Sequence, residues 1–152
     1  MNYAIEPMKI EYFDEVTALW RITEGVGLDE SDSRESTAIF LERNRGLSQV
    51  ARSADGKIVG AILCGHDGRR GYLHHLAIAK EHRRRGIGSD LVGRCLNGLR
   101  AIGIFKCNIF VYADNAEGQA FWKRLSWNAR EDLRMMQVPT GPATPNPHSH
   151  PR

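Results

Sequence analysis

Leu76-Ala-Ile-Ala-Lys-Glu-His-Arg-Arg-Arg-Gly-Ile-Gly-Ser89 is the stretch on which the fold turns. Its first residues read as the end of a buried strand. The basic run then opens a helix that puts Ile87, Leu91, Val92, Cys95, Leu96 and Leu99 on one face. A helix start leaves its first N–H groups without intrahelical partners and carries partial positive charge. An anion, above all a phosphate, fits there. Gly86 and Gly88 remove side chains from that approach, and Arg83, Arg84 and Arg85 add charge. Two other phosphate motifs fail: a dinucleotide fingerprint needs glycine where Leu91 stands, and the chain has no Gly-Lys-Ser/Thr. The bland alternative is a basic turn capping a surface helix, its arginines simply solvated.

Around this stretch the chain alternates strands and helices. Ala4 to Met8 reads as an edge strand, where Pro7 is tolerated. Asp14 to Ile22 spaces Val16, Leu19 and Trp20 as a helix, and Ser33 can cap a second helix to Asn44 with Ile39 and Phe40 on its apolar side. Leu47 to Ser53 and Lys57 to Cys64 are strands joined by Ala54-Asp55-Gly56, a hairpin signal. Tyr72 to Ile78 is a fourth strand. Gly103 ends the central helix, Phe105 to Tyr112 is a fifth strand, and Asp114 or Asn115 can cap a last helix. Leu133 to Val138 can close the sheet.

The segments in this order resemble the GNAT superfamily of N-acetyltransferases. Arg83-x-x-Gly86-x-Gly88 resembles the superfamily's acyl-coenzyme-A signature, and Asp114-Asn-Ala-Glu-Gly-Gln-Ala-Phe-Trp-Lys-Arg-Leu-Ser-Trp127 its Asn-x-x-Ala/Gly-x-x-Phe-Tyr-x-x-Leu-Gly-Phe segment. The likeness spans about residues 3–138, and the full run resembles uncharacterised bacterial members and, more loosely, the ribosomal-protein N-terminal acetyltransferases. It implies an α/β GNAT fold: a mixed, mostly antiparallel sheet of six to seven strands flanked by about four helices. It also implies acetyl-CoA as cosubstrate. Its pyrophosphate would meet Arg83, Arg84, Arg85, Gly86, Ile87, Gly88 and Ser89, and its pantetheine arm the backbone of Leu76, Ala77 and Ile78. Asn115 matches the family's asparagine on the cofactor arm, a role compatible with a plain helix cap.

Transfer to an amine needs a group that takes a proton from the ammonium, best one with pKa near neutrality. His74 and His75 stand just before the cofactor strand, and alternation predicts that only one faces the cleft. Tyr72-Leu-His-His-Leu-Ala-Ile resembles the His-Leu-His-Ala-Leu-Ala-Val strand of the arylalkylamine acetyltransferases, whose catalytic second histidine falls on His74. Trp122 stands where the family commonly has the tyrosine that protonates the departing thiolate, and an indole N–H cannot do this. Tyr112 is a substitute candidate. Ser126 replaces the usual glycine of the Leu-Gly-Phe turn. Trp20, Glu24 and Asp29 are candidates for the acceptor side, and the acidic loop from Glu24 to Asp32 would favour a cationic amine, unless it is merely solvated. A protein that binds acetyl-CoA as a sensor, without efficient turnover, is the alternative reading.

Composition bounds the remainder. At 152 residues with 41% hydrophobic content the chain is expected to be one globular domain over residues 1–138. A net charge of +3 is too mild for a nucleic-acid partner, and no apolar run approaches a membrane span. Cys64, Cys95 and Cys107 read as buried, reduced thiols, so the expected place is the cytoplasm, and the chain is expected as monomer or homodimer. Residues 139–152 are proline-rich and expected to be a disordered tail, where His148 and His150 make a poor metal site. No metal is expected.

Overall fold

The computed structural model describes residues 2–142. Five strands form one sheet in sequence order: β1 (Tyr3–Pro7), β2 (Gln49–Ser53), β3 (Ile58–His66), β4 (Gly71–Ile78) and β5 (Cys107–Ile109). The first four are antiparallel neighbours, and β5 runs parallel to β4. Four helices flank them: α1 (Phe13–Arg21), α2 (Arg34–Arg43), α3 (Ile87–Ala101) and α4 (Ala116–Arg124). This is the mixed α/β architecture expected of a GNAT protein.

β3 shows why the layers sit as they do. Its residues from Ile58 to Gly65 are all buried, because helices cover both faces of the sheet. A strand buried on both sides reads as a continuous apolar run instead of an alternation. On one side Val16, Leu19 and Trp20 of α1 meet Val50, Ala61, Leu63 and Ala77. On the other, Ile87, Leu91, Val92, Cys95 and Leu99 of α3 meet Ala51, Val59, Ile62, Cys64 and Leu73. α3 also supplies the crossover that a parallel β4–β5 pair requires.

Helix ends follow their expected chemistry. Ser33 caps α2 by accepting from Ser36 N–H at 3.1 Å, and Asn115 caps α4 by accepting from Gly118 N–H at 2.9 Å. α3 ends at Gly103, whose φ of +83° suits glycine, with Ile104 N–H reaching back to Leu99 O at 3.0 Å. α4 ends the same way without glycine. Ser126 takes φ +71°, its N–H bonds Lys123 O at 2.9 Å, and Trp127 N–H bonds Trp122 O at 3.0 Å. The rings of Trp122 and Trp127 close this Schellman motif at 4.9 Å.

Four expectations are corrected. Among the described residues the sheet has five strands, not six to seven, because Leu133 to Val138 joins no strand: Leu133, Met135, Met136 and Val138 all lie exposed. β5 spans only Cys107–Ile109 of the expected Phe105 to Tyr112, because it has left β4 after Ile109 and carries no strand on its other edge. Tyr112 therefore lies beyond the strand. Ile39 is exposed, and Thr37, Phe40 and Leu41 form the inner side of α2. The three cysteines are free thiols, with Cys64 and Cys95 buried and Cys107 half-buried. Of the proline-rich tail, residues 143–152, including His148 and His150, lie outside the described residues.

A serine held at positive φ costs about 1 kcal/mol relative to a residue free to adopt it. Ser126→Gly is therefore expected to raise the unfolding free energy by about 0.5–1 kcal/mol after the entropy that glycine adds to the unfolded chain. Urea denaturation of the two proteins checks this, and an unchanged or lower midpoint contradicts it.

Candidate active site at the parting of β4 and β5

β4 pairs with β5 only at Gly71, Tyr72 and Leu73. Among the described residues no strand lies beside that edge from His74 to Ile78, which leaves the backbone of Leu76 to Ile78 ready to pair with a ligand. At the same point β4 is irregular. Ala77 pairs with Ala61 and His74 with Leu63, so His75 and Leu76 together oppose Ile62 alone. This is a β-bulge, and His75 takes the positive φ, +56°.

The bulge corrects the expectation that alternation sends the two histidines to opposite faces. An extra residue breaks the period of two, and both rings lie on the α1–α2 side, 6.4 Å apart. His74 lies against Phe40 at 6.2 Å and is stacked with Tyr72 at 6.3 Å. His75 sits edge-on to Trp20 at 5.1 Å, and its Nε2 lies 2.8 Å from Asp32 Oδ1. Trp20, only 1% exposed, donates its indole N–H to His75 O at 2.7 Å. Burial, then the neighbouring His75 charge, push the His74 pKa below the ordinary histidine value, against the pull of Asp32.

Asp32 reaches this place through a local motif. In the 3-10 turn Glu30–Asp32, Asp29 caps Ser31 N–H at 2.9 Å while Asp32 Oδ2 accepts from Asp29 N–H at 3.0 Å. Asp29 is thus committed to capping. Glu24 is exposed and pairs with Arg83 at 3.4 Å, which with the bond of its own backbone N–H holds its carboxyl below the usual range. Of the acceptor-side candidates, Trp20 alone touches the histidines, as a buried support.

The start of α3 lies beyond the free edge. Gly86 occupies its N-cap with φ +81° and Arg84 precedes it with φ +62°, and no side chain caps the helix. Its first N–H groups are thus left to solvent or an anion, and the exposed Arg84 and Arg85 stand beside them. Arg83 turns back, donating from Nε to Ile78 O at 3.0 Å. Gly88 also serves packing: a Cβ there would lie 3.2 Å from the Phe121 ring, so glycine lets α3 and α4 approach. Asn115, at the head of α4, faces the α1–α2 loop, and a Cβ on Gly25 would lie 2.7 Å from its Nδ2. Trp122 packs between Phe121 and Trp127 against the α3 side of the core. Tyr112 O accepts from Gln119 Nε2 at 3.1 Å, tying β5's exit to α4.

An uncapped helix start and a free strand edge that share one end of the sheet suit a long ligand with phosphates at one end. The residue that sequence reading left among undifferentiated acids is Asp32; the spacing Asp29-x-x-Asp32, a reciprocal cap, was its local signal.

Because His74 resists protonation in the folded protein, the unfolded chain takes up the proton first as pH falls. Stability is expected to be unaffected by this group above the ordinary histidine value of 6.5 and to decline below it, until the lower folded pKa is passed. In His74→Gln the decline between pH 6.5 and pH 5 should be shallower. Thermal melts across that window check this, and parallel curves contradict it.

Comparison with known proteins gives the family. Residues 13–127 match the Acetyltransferase (GNAT) family. An acetyltransferase of Sodalis glossinidius is 29% identical over 124 residues, covering 82% of this chain and 86% of that protein. An uncharacterised N-acetyltransferase of Yersinia pestis is 31% identical over 123 residues, covering 81% and 86%. Among solved structures, the PaiA N-acetyltransferase of Thermoplasma acidophilum, in complex with coenzyme A, superposes with a TM-score of 0.72 at 20% identity, covering 82% of this chain and 89% of that one. The chain belongs to the GNAT family of acetyltransferases, and acetyl-CoA is its acetyl donor.

Proposed function

We propose that this acetyltransferase moves the acetyl group to a primary amine, of a small molecule or a protein, by direct attack. The observation that carries the reading is the pair of imidazoles at the free edge of β4, where the donor's arm is expected to lie. A bound thioester supplies an acyl carbon with a good leaving group: a simple thiol has a pKa of about 8.5, so its thiolate departs without a dedicated acid. Trp122, packed between two rings, fits that economy.

The chain's own groups divide the work. The first N–H groups of α3, with Arg84 and Arg85, hold the phosphates, and Leu76, Ala77 and Ile78 present backbone to the pantetheine arm. Asn115 steadies the arm from the head of α4. A backbone N–H near Leu76 or Ala77, beside the bulge, meets the acyl oxygen as it gains charge. His74 and His75 take the proton that the attacking ammonium must lose. Tyr112 is the candidate to return one to the thiolate. The carboxylates of the α1–α2 loop, Glu24 and Asp32 among them, favour a cationic acceptor.

The test is coenzyme A release from acetyl-CoA across amines, polyamines, amino acids and short peptides, with wild type, His74→Ala and His75→Ala side by side. Calorimetry follows acetyl-CoA binding. Release with one amine class is expected, reduced about a hundredfold or more in at least one variant with donor affinity kept. Tight binding without release from any amine would favour the sensor that binds acetyl-CoA without turning it over.

A further inference from the structure

His75 is the residue this fold does most to orient. A non-glycine residue at positive φ costs about 1 kcal/mol or more, so surrounding contacts must hold it there. Two come from other elements. Trp20 of α1 fixes the backbone through the bond to His75 O, and Asp32 of the 3-10 turn fixes the ring through Nε2. Asp32 is itself held: its side chain is 9% exposed, and its second oxygen accepts from Asp29 N–H.

That contact decides where the ring carries its lone pair. An ionised carboxylate only accepts, so Nε2 donates to Asp32 and the neutral ring keeps its lone pair on Nδ1. Among the described residues, no hydrogen bond reaches Nδ1. Asp32, with Asp29 behind it, and His74 on the same strand face the ring, and α1 presents the uncharged Trp20. His74 is placed differently, between Phe40 and Tyr72 and without a carboxylate on its ring.

Resting on the amine-transfer reading above, we propose that His75, through Nδ1, accepts the proton of the acceptor's ammonium, and that Asp32 is a positioning residue that sets its tautomer. The N–H bond of the ammonium breaks, its electron pair stays on nitrogen as the nucleophile, and Nδ1 gains the proton. The imidazolium so formed faces Asp32, which stabilises it. The proton then passes to solvent or to the departing thiolate, which restores the neutral ring. His75 is the catalytic residue of the pair, and His74 shapes the acceptor side between its two aromatic neighbours.

Asp32→Asn tests the assignment. The asparagine oxygen can keep the bond from Asp29 N–H, while its amide donates to Nε2 and so moves the ring proton to Nδ1. Nitrogen NMR of the His75 ring, without acetyl-CoA and at a pH where the ring is neutral, is expected to show Nε2–H in wild type and Nδ1–H in the variant. With an accepted amine, kcat should fall about a hundredfold to ten-thousandfold, while acetyl-CoA affinity and melting temperature stay near wild type. The remaining rate should rise steadily with pH, without the wild-type plateau, as free amine from solution takes over. Nδ1–H in wild type, or a variant whose kcat and pH profile match an active wild type, would overturn the proposal alone. A wild type that acetylates no amine would overturn the amine-transfer reading, and this proposal with it.

Discussion

β4 and β5 run side by side for three residues and then part. Parallel strands hold each other through slanted bonds from both backbones, so once β5 turns away after Ile109 the edge of β4 has donors and acceptors to offer. On the proposed function, the groups that meet donor and acceptor are arranged around that interval. α3, the crossover between the two strands, necessarily begins near the end of β4, and its unsatisfied N–H groups come to lie beyond the free edge. The bulge at His75 falls within the same interval, and the turn that carries Asp32 reaches it from the α1–α2 loop. Extended backbone, helix dipole and imidazole are thus brought together by one departure from regular pairing.

The same geometry divides the labour between the faces of the sheet. The α3 side is an apolar layer in which Leu91, Cys95 and Leu99 are sealed, with α4 drawn close by Gly88. The α1–α2 side is less uniform. It carries Trp20, both histidines and a carboxylate, and the aromatic rings between them provide a dry surround in which the charge of one histidine is felt by the other. Both faces are packed cores, and the proposed chemistry draws on the α1–α2 one.

Much of this was legible in the residues. The apolar stripe of α3, its stop at Gly103, the Asn115 cap and the hairpin at Asp55-Gly56 are local signals, and local physics decides them. The donor itself was equally readable, since a helix start after a basic glycine turn suits the phosphates of a coenzyme. What escaped was non-local. A period of two cannot announce its own interruption, so the shared side of His74 and His75 followed only from the pairing with Ile62. Asp32 looked like any acid in a loop until the turn aimed it. Gly88 has the right spacing for a phosphate, yet the Phe121 ring from another helix is what a side chain there would meet. Leu133 to Val138 has a strand's composition and no partner to make it one.

The positive φ at His75 has an implication for how this protein can be improved or eroded. Glycine would occupy that backbone conformation more easily than histidine does. A search that rewarded thermal endurance alone would drift toward such a replacement and keep the fold while discarding the imidazole. If His75 takes the proton as proposed, this position is where endurance and activity pull in opposite directions. In a library selected for both, position 75 should therefore be among the last to yield, while Ser126, strained in a similar way but remote from the histidines, is free to yield early.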